Sequence, residues 1–348
     1  MHTPTAPQSA APAPADGPDR PRPAVESHRA ARRPRLPFDL KDFGVLGGLL
    51  AIIVFLSVST STFLTQQNLV NVLDQTVVIG LLAVGATICI ISGVFDLSAS
   101  ANLAISAIAG VYFTQHFGVA LGFVLALITG AALGAITGSI IVFTRVHSFI
   151  GSLATSIIFR GIAVVLTGGA IVAPLASQSE AFRVWTSPVV GGITAGTVLF
   201  VVAIVVFGLL LARTTYGRRV YAVGGNIEAA RLGGVRTGLM HISAFAISGL
   251  CAAAAGMVLA SRAGSAQPAM ATGYELTAIA AVVIGGTSIM GGTGAVWRTA
   301  VGVVLLTIIA NGFNLLGWNT TYQQVVTGGL ILVAVAADSL IFQRLKRK

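Results

Sequence analysis

LVNVLDQTVVIGLLAVGATICII (69–91) decides the class of fold: it runs for 23 residues with one ionisable side chain, Asp74, near its start. A helix of about 20 apolar residues crosses the hydrocarbon core of a bilayer. Working outward, similar runs occupy 43–63, 97–115, 118–142, 148–167, 189–212, 239–262, 276–292, 295–317 and 319–340. The fold class is therefore an all-α polytopic membrane protein with about ten transmembrane helices. The runs at 97–115 and 276–292 are short or rich in Gly and Ser, the pattern of a broken or re-entrant helix lining a cavity.

Composition agrees. Of 348 residues, 55% are hydrophobic and only 9% charged, and the mean hydropathy is +0.88. Soluble domains carry about 25% charged residues, so a chain this apolar needs lipid as its solvent. The net charge of +10 is not a nucleic-acid footprint, because of where the charges lie. Arg20, Arg22, Arg29, Arg32, Arg33, Arg35 and Lys41 precede the first apolar run, and Arg344, Lys346, Arg347 and Lys348 follow the last. Arg213, Arg218, Arg219, Arg231 and Arg236 share one loop. Basic residues massed in tails and alternate loops follow the positive-inside rule. With both termini in the cytoplasm, the loops TQQN (65–68), QHFG (115–118) and GWNTT (317–321) lie outside and carry no Lys or Arg. Arg183, and Arg262 at a helix end, oppose the rule.

Three domains follow. Residues 1–36 hold eight of the 12 prolines among Ala, Arg and Asp, a composition expected to stay a disordered cytoplasmic tail. Residues 37–343 form the membrane domain, with 213–238 as its long cytoplasmic loop, and 344–348 are a basic cytoplasmic tail. The basic end of the first tail also suits anionic lipid. Cys89 and Cys251 both sit in apolar runs and read as small buried hydrophobes.

Gly130, Gly134 and Gly138 recur every four residues, so they share one helix face where two backbones can approach closely. Gly285 and Gly286 interrupt the apolar run of SAQPAMATGYELTAIAAVVIGGTSIMGGTGAVW (265–297) and mark an unwound or tightly packed segment. No GxxxxGK[ST] occurs and no Lys follows these glycines, which argues against a nucleotide site in this chain.

The loop RTTYGRRVYAVGGNIEAARLGGVRTG (213–238) has a short helix at its centre. Asn226 is a good N-cap, Glu228 suits the first turn and Arg231 the last, and Gly233 and Gly234 are natural stops. A helix this short is marginal alone in water, so it either rests on its own bundle or docks a cytoplasmic partner. In SGVFDLSASANLAIS (92–106), Asp96 is followed by Ser98, Ser100 and Asn102. It reads as a turn with Asp96 capping the next helix, or as a polar break lining a solute path. Asn311 and Asn314, three apart, share one helix face and offer interhelical bonds or solute contacts. Arg160 falls in mid-run, whereas Asp74, Arg262, Glu275 and Arg298 lie near predicted ends, where snorkelling suffices. No HExxH or GxSxG occurs in the chain and no span holds paired carboxylates, so catalytic constellations are missing.

At these residues the chain resembles the permease subunits of bacterial ribose/xylose/galactoside-type ABC importers. The resemblance covers 67–338. It is carried by NLVNVLDQTVVIGLLAVGATICIISGVFDLSAS (68–100), RVHSFIGSLATSIIFRGIAVVLTGG (145–169), YAVGGNIEAARLGGV (221–235), GSAQPAMATGYELTAIAAVVIGGTSIMGGTGAVW (264–297) and NGFNLLGWNTTYQQVVTGGLILVAVAAD (311–338). It implies a type II-like permease arrangement in the bacterial cytoplasmic (inner) membrane, working as a homodimer or permease pair. Its partners would be cytoplasmic ABC ATPase subunits, which bind the ATP, and an extracytoplasmic solute-binding protein. The chain itself would be neither an enzyme nor a holder of any cofactor or metal. Gly224, Gly225, Asn226, Glu228, Ala229, Ala230, Arg231, Leu232 and Gly233 look like the family's coupling helix. The implied solute is a monosaccharide, with Asp96, Ser98, Asn102, Asn311 and Asn314 as candidate pathway residues. The same mechanism with a nucleoside, amino acid or signal molecule is an alternative, and an ion-coupled secondary transporter using Asp74 or Asp96 is another. The chain has GVFDLS (93–98) where the family commonly has GIDLS, and its GGTSIMGGTGAVW (285–297) lacks the Lys or Arg that often follows those glycines.

Overall fold

The computed structural model describes residues 40–319 and then 321–323, 325–330, 332, 333 and 336. They all fall in the compact unit Asp39–Lys348; the tails expected at 1–36 and 344–348 lie outside the described residues. In chain order the helices are α1 (Leu40–Ser59), α2 (Gln66–Ile91), α3 (Ala99–Phe117), α4 (Val119–Thr144), α5 (Ser148–Thr167), the single turn α6 (Ser179–Phe182), α7 (Ala195–Arg213), α8 (Thr215–Gly225), α9 (Ile227–Leu232), α10 (Thr237–Ala263), α11 (Tyr274–Ile284) and α12 (Val296–Leu315). The described residues from 321 to 336 are helical as well. Among the described residues, six helices are long and apolar enough to cross a membrane: α2, α4, α5, α7, α10 and α12. The protein is a helical, multi-pass membrane protein.

Burial separates the centre of the bundle from its lipid face. In α2, 83% of the most apolar window is buried, against 22% in α4 and 28% in α7. α10 lies at the centre, packed against α4, α2 and α3. Its contact with α4 is close because α4 presents Gly130, Gly134 and Gly138. A Cβ on Gly134 would meet the Phe245 carbonyl, one on Gly138 would meet the Ile242 and Phe245 atoms, and one on Gly130 would meet the Gly249 carbonyl and Ala253. Close backbone approach of this kind drives helix association where lipid is as apolar as the side chains.

Three expected segments take another form. The start of the run at 189–212 is a hairpin, β1 (Pro188–Val190) and β2 (Ile193–Thr194), antiparallel with Val190 opposite Ile193. Gly191 and Gly192 have φ of 60° and 86°, the two positive φ values that a two-residue hairpin turn requires. The run at 276–292 is the 11-residue α11, about 16 Å long at 1.5 Å per residue, followed by irregular chain to α12. The helix stops at Gly285 and Gly286, which differ in role. A Cβ on Gly285 would meet the Arg298 carbonyl of α12, so this glycine packs helix on helix. Gly286, expected at the same kind of contact, has open space around it and a φ of 85°; it serves the turn. The hydrophilic loop 213–238 contains α8 in addition to its short central helix. Thr214 caps α8 by accepting from the Gly217 amide, and Val220 and Val223 bury its inner face.

Candidate functional site

The chain has two chemically distinct ends. At one, α8 and α9 lie on the bundle, α8 against α2, α7 and α10 and α9 against α10. Asn226 Oδ1 accepts from the Ala229 amide at 2.9 Å, a side-chain N-cap that satisfies one of the orphan donors. Past Leu232, the Gly234 amide donates to the Arg231 carbonyl and the Val235 amide to the Ala230 carbonyl, both at 3.0 Å. With Gly234 at φ 80° this is a Schellman stop. Both ends of a six-residue helix are thus closed by local bonds. Ala230 is buried beneath it. Glu228 and Arg231 pair at 2.9 Å on the surface, and Leu232 is 86% exposed. Gly225, Asn226, Ala229 and Gly233 are exposed too.

Beneath α9 three backbones meet with glycines at every crossing. The Gly292 amide donates to the Ile91 carbonyl at the end of α2, at 2.9 Å. A Cβ on Gly224, at the end of α8, would meet that same Ile91 carbonyl and come within 2.7 Å of the Gly292 nitrogen. One on Gly291 would come within 2.9 Å of the Gly224 oxygen and 3.1 Å of the Gly93 Cα. Tyr221 donates its hydroxyl to the Gly294 carbonyl at 2.8 Å. Burial pushes the Tyr221 hydroxyl above the usual tyrosine range, against a smaller lowering by Arg298.

The other end, where α2 and α11 begin and α10 and α12 finish, is open. A cavity of ≈ 700 Å³ lies there between α2, α10, α11, α12 and the helical residues past 321. Gln75, Thr272, Tyr274, Thr277, Thr307, Gln323 and Thr327 are among its polar groups, and Arg262 is its charged residue among the described residues. The Arg262 guanidinium donates to the Asp74 carbonyl at 2.6 Å. The Asp74 carboxylate in turn accepts from Thr194 at 2.5 Å and Thr197 at 3.2 Å. These bonds tie α10, α2 and the β2–α7 corner together along the rim. A second cleft of ≈ 610 Å³ lies beside the hairpin, with Gln66, Asn71, Asp74 and Thr194 in its walls.

The residues singled out as solute contacts lie elsewhere. Asp96 is buried and its Oδ1 accepts from the Ser98 amide and hydroxyl at 2.9 and 2.6 Å. Ser98, itself buried, is the N-cap position of α3 in place of Asp96. Asn102 donates to the Gly130 carbonyl at 3.0 Å and accepts from Ser106 at 2.9 Å, pinning α3 to α4. Asn311 and Asn68 exchange amide bonds at 2.8 and 3.1 Å between α12 and α2. Asn314 is exposed. None of these five lines the ≈ 700 Å³ cavity. Arg160, singled out for its depth, donates to the Pro268 carbonyl at 2.5 Å and to Ser100 at 3.3 Å, holding the α10–α11 loop against α3. The cavity's own residues were missed; Gln75, an amide inside the apolar run that opened the sequence reading, was the signal available.

Comparison with known proteins identifies the family. The family model described as "Branched-chain amino acid transport system / permease component" matches residues 68–335. The ribose import permease protein RbsC of Bacillus subtilis (strain 168) is 39% identical over 308 residues, covering 87% of this chain and 95% of that protein. The D-allose transport system permease protein AlsC of Escherichia coli (strain K12) is 37% identical over 302 residues, with 84% and 90% covered. The xylose transport system permease protein XylH of the same strain is 32% identical over 369 residues, with 88% and 93% covered. No solved structure matches the chain. A match over most of the chain, with relatives covered nearly end to end, is decisive: the chain belongs to this family of transport-system permease components, whose members include the ribose, allose and xylose permeases.

Proposed function

We propose that the chain is the membrane-spanning subunit of a binding-protein-dependent ABC importer for a monosaccharide, and that α9 is the seat of a separate ATPase chain. The observation that carries this is α9 itself: a six-residue helix closed by its own caps and presenting Leu232 to solvent. A helix so short does not persist in isolation. Caps at both ends hold it as a rigid knob, suited to a groove in a partner. Gly224 to Gly233 then form the coupling element, with α9 as its docking surface and Gly224 turned to the bundle, against the Ile91 carbonyl and the Gly292 amide, and the basic loop that carries them lies in the cytoplasm by the positive-inside rule. Both termini share that side in an arrangement of ten crossings, the eighth made by α11 and the irregular chain after it. The permease pairs with a second copy, sits in the cytoplasmic membrane, and binds no cofactor of its own. ATP stays on the ATPase subunits.

The ≈ 700 Å³ cavity, at the end opposite α9, is the outward-facing chamber. Amides, hydroxyls and one aromatic ring suit a neutral polyhydroxyl solute. An amino acid zwitterion would need a partner of each charge, and among the described residues Arg262 has no acidic counterpart in the lining. The relatives' ribose, allose and xylose names point the same way. Purification of the permease in mild detergent tests the mechanism. An ABC-type ATPase recovered in near-equal amount supports it, and recovery without ATPase after crosslinking through 213–238 refutes it.

A further inference from the structure

We infer that the glycine junction of Gly93, Gly224, Gly291 and Gly292, with Tyr221, is the positioning element that carries movement of α9 to the walls of the cavity. The inference rests on α9 being the ATPase seat. α9 continues from α8 through the single extended residue Asn226, so the end of α8 moves with it. That end has no side chain to absorb displacement. Gly224 lies against the Ile91 carbonyl and the Gly292 amide with no room for a methyl group. Backbone held at contact distance transmits a push instead of cushioning it. Tyr221 supplies the pull, through its bond to the Gly294 carbonyl.

Beyond the junction, α2 and α12 move as one body. Thr87 and Thr299 share a hydrogen bond at 2.7 Å between them, and Asn68 and Asn311 close the far end with their amide pair. Both helices line the cavity, through Gln75 on α2 and Thr307 on α12. α11 joins this body, because Gly285 lies against the Arg298 carbonyl and Gly302 against the Ala281 carbonyl. A displacement of Gly224 therefore reaches three walls of the cavity through backbone contacts and a few buried bonds.

The test reads cavity shape without needing the solute. Thr277→Cys places a thiol in the cavity, and the native Cys89 and Cys251 are buried. The permease–ATPase complex in nanodiscs is labelled with a membrane-impermeant maleimide, with and without ATP plus vanadate. Trapping should change the labelling rate at least about fivefold in the parent, as a population shift of the cavity. With Gly224→Ala added, the ATPase should stay bound while the labelling rate shifts less than about twofold. Tyr221→Phe, which removes one oxygen, should give an intermediate response. Gly208→Ala, on α7 with nothing within 4 Å, should match the parent. A parent-like response in Gly224→Ala overturns the inference, as does loss of the bound ATPase, which would make Gly224 part of the docking surface. If Gly224→Ala yields no folded complex, Tyr221→Phe decides, and a parent-like response there overturns it. A parent that binds no ATPase refutes the coupling reading instead.

Discussion

The two ends of the bundle use glycine in opposite ways. At the junction, Gly224 and Gly292 bring backbones together, and a Cβ on either would collide with main chain of another segment. At the cavity end, Gly273 has a φ of 87° with nothing within 4 Å of its missing Cβ; it turns the chain into α11 and packs against nothing. The junction is filled by backbone, and the opposite end is walled by side chains around ≈ 700 Å³ of space. The difference indicates where the protein is stiff and where it is adaptable. In the proposed mechanism, force enters where no side chain yields, and solute enters where side chains supply the chemistry.

Substitutions on the stiff side should be the most damaging. Gly134→Leu drives four carbon atoms into the Phe245 carbonyl of α10. Overpacking by this much at a backbone crossing costs more than about 3 kcal/mol, so the expected outcome is little or no monodisperse protein by size-exclusion chromatography. Normal yield would mean that α4 and α10 separate easily, and the contrast between the two halves would fail. The next largest effect belongs to the knob. Leu232→Ala removes an exposed side chain whose loss leaves the fold alone. If it fills a pocket in the ATPase, it should weaken subunit association by about thirtyfold, the 2 kcal/mol of an interface anchor. Unchanged association in a pull-down titration would move the docking surface off α9.

On the open side the effect should be on transport alone. Tyr274→Ala takes from the cavity lining its one aromatic ring among the described residues. Its yield should match the parent, while the KM for uptake by reconstituted permease, ATPase and binding protein rises about fivefold, near 1 kcal/mol of lost contact. A loss of yield as large as that of Gly134→Leu would show that the cavity end is as tightly built as the α4–α10 crossing.

Sequence patterning found what long-range regularity encodes. Apolar runs of about 20 residues located the long helices, and Asn226, Gly233 and Gly234 located α9, because caps are local chemistry. Hydropathy could not separate VVGGIT (189–194) from the helix that follows it, since valine and isoleucine suit either; the two glycines with positive φ made the difference. α8 went unread because its apolar side is confined to a few positions among arginines. Asn102 and Asn311, expected on the solute path, hold helices together for a physical reason. In lipid a buried amide finds another amide, as Asn311 finds Asn68, so polarity within a span marks helix packing as readily as a solute route. The cavity itself is tertiary: Gln75, Thr277, Thr307 and Gln323 are brought together by four segments far apart in the chain.

The smallest effect separates what holds α9 from what α9 does. Glu228 and Arg231 pair at 2.9 Å, but their side chains are 66% and 68% exposed. An ion pair in that setting contributes less than about 1 kcal/mol. The caps are the stronger restraint: Asn226→Ala removes the bond to the Ala229 amide and should cost about 1 kcal/mol. Glu228→Gln should therefore leave hydrogen exchange across 227–232 within about twofold of the parent, while Asn226→Ala speeds it about fivefold. The order is the informative part. If Glu228→Gln loosened α9 as much as Asn226→Ala, the helix would be held by a screened surface pair and would bend under load, a poor lever against the glycine junction. With the order as expected, α9 is rigid through its caps, and Glu228 and Arg231 are left to face the partner.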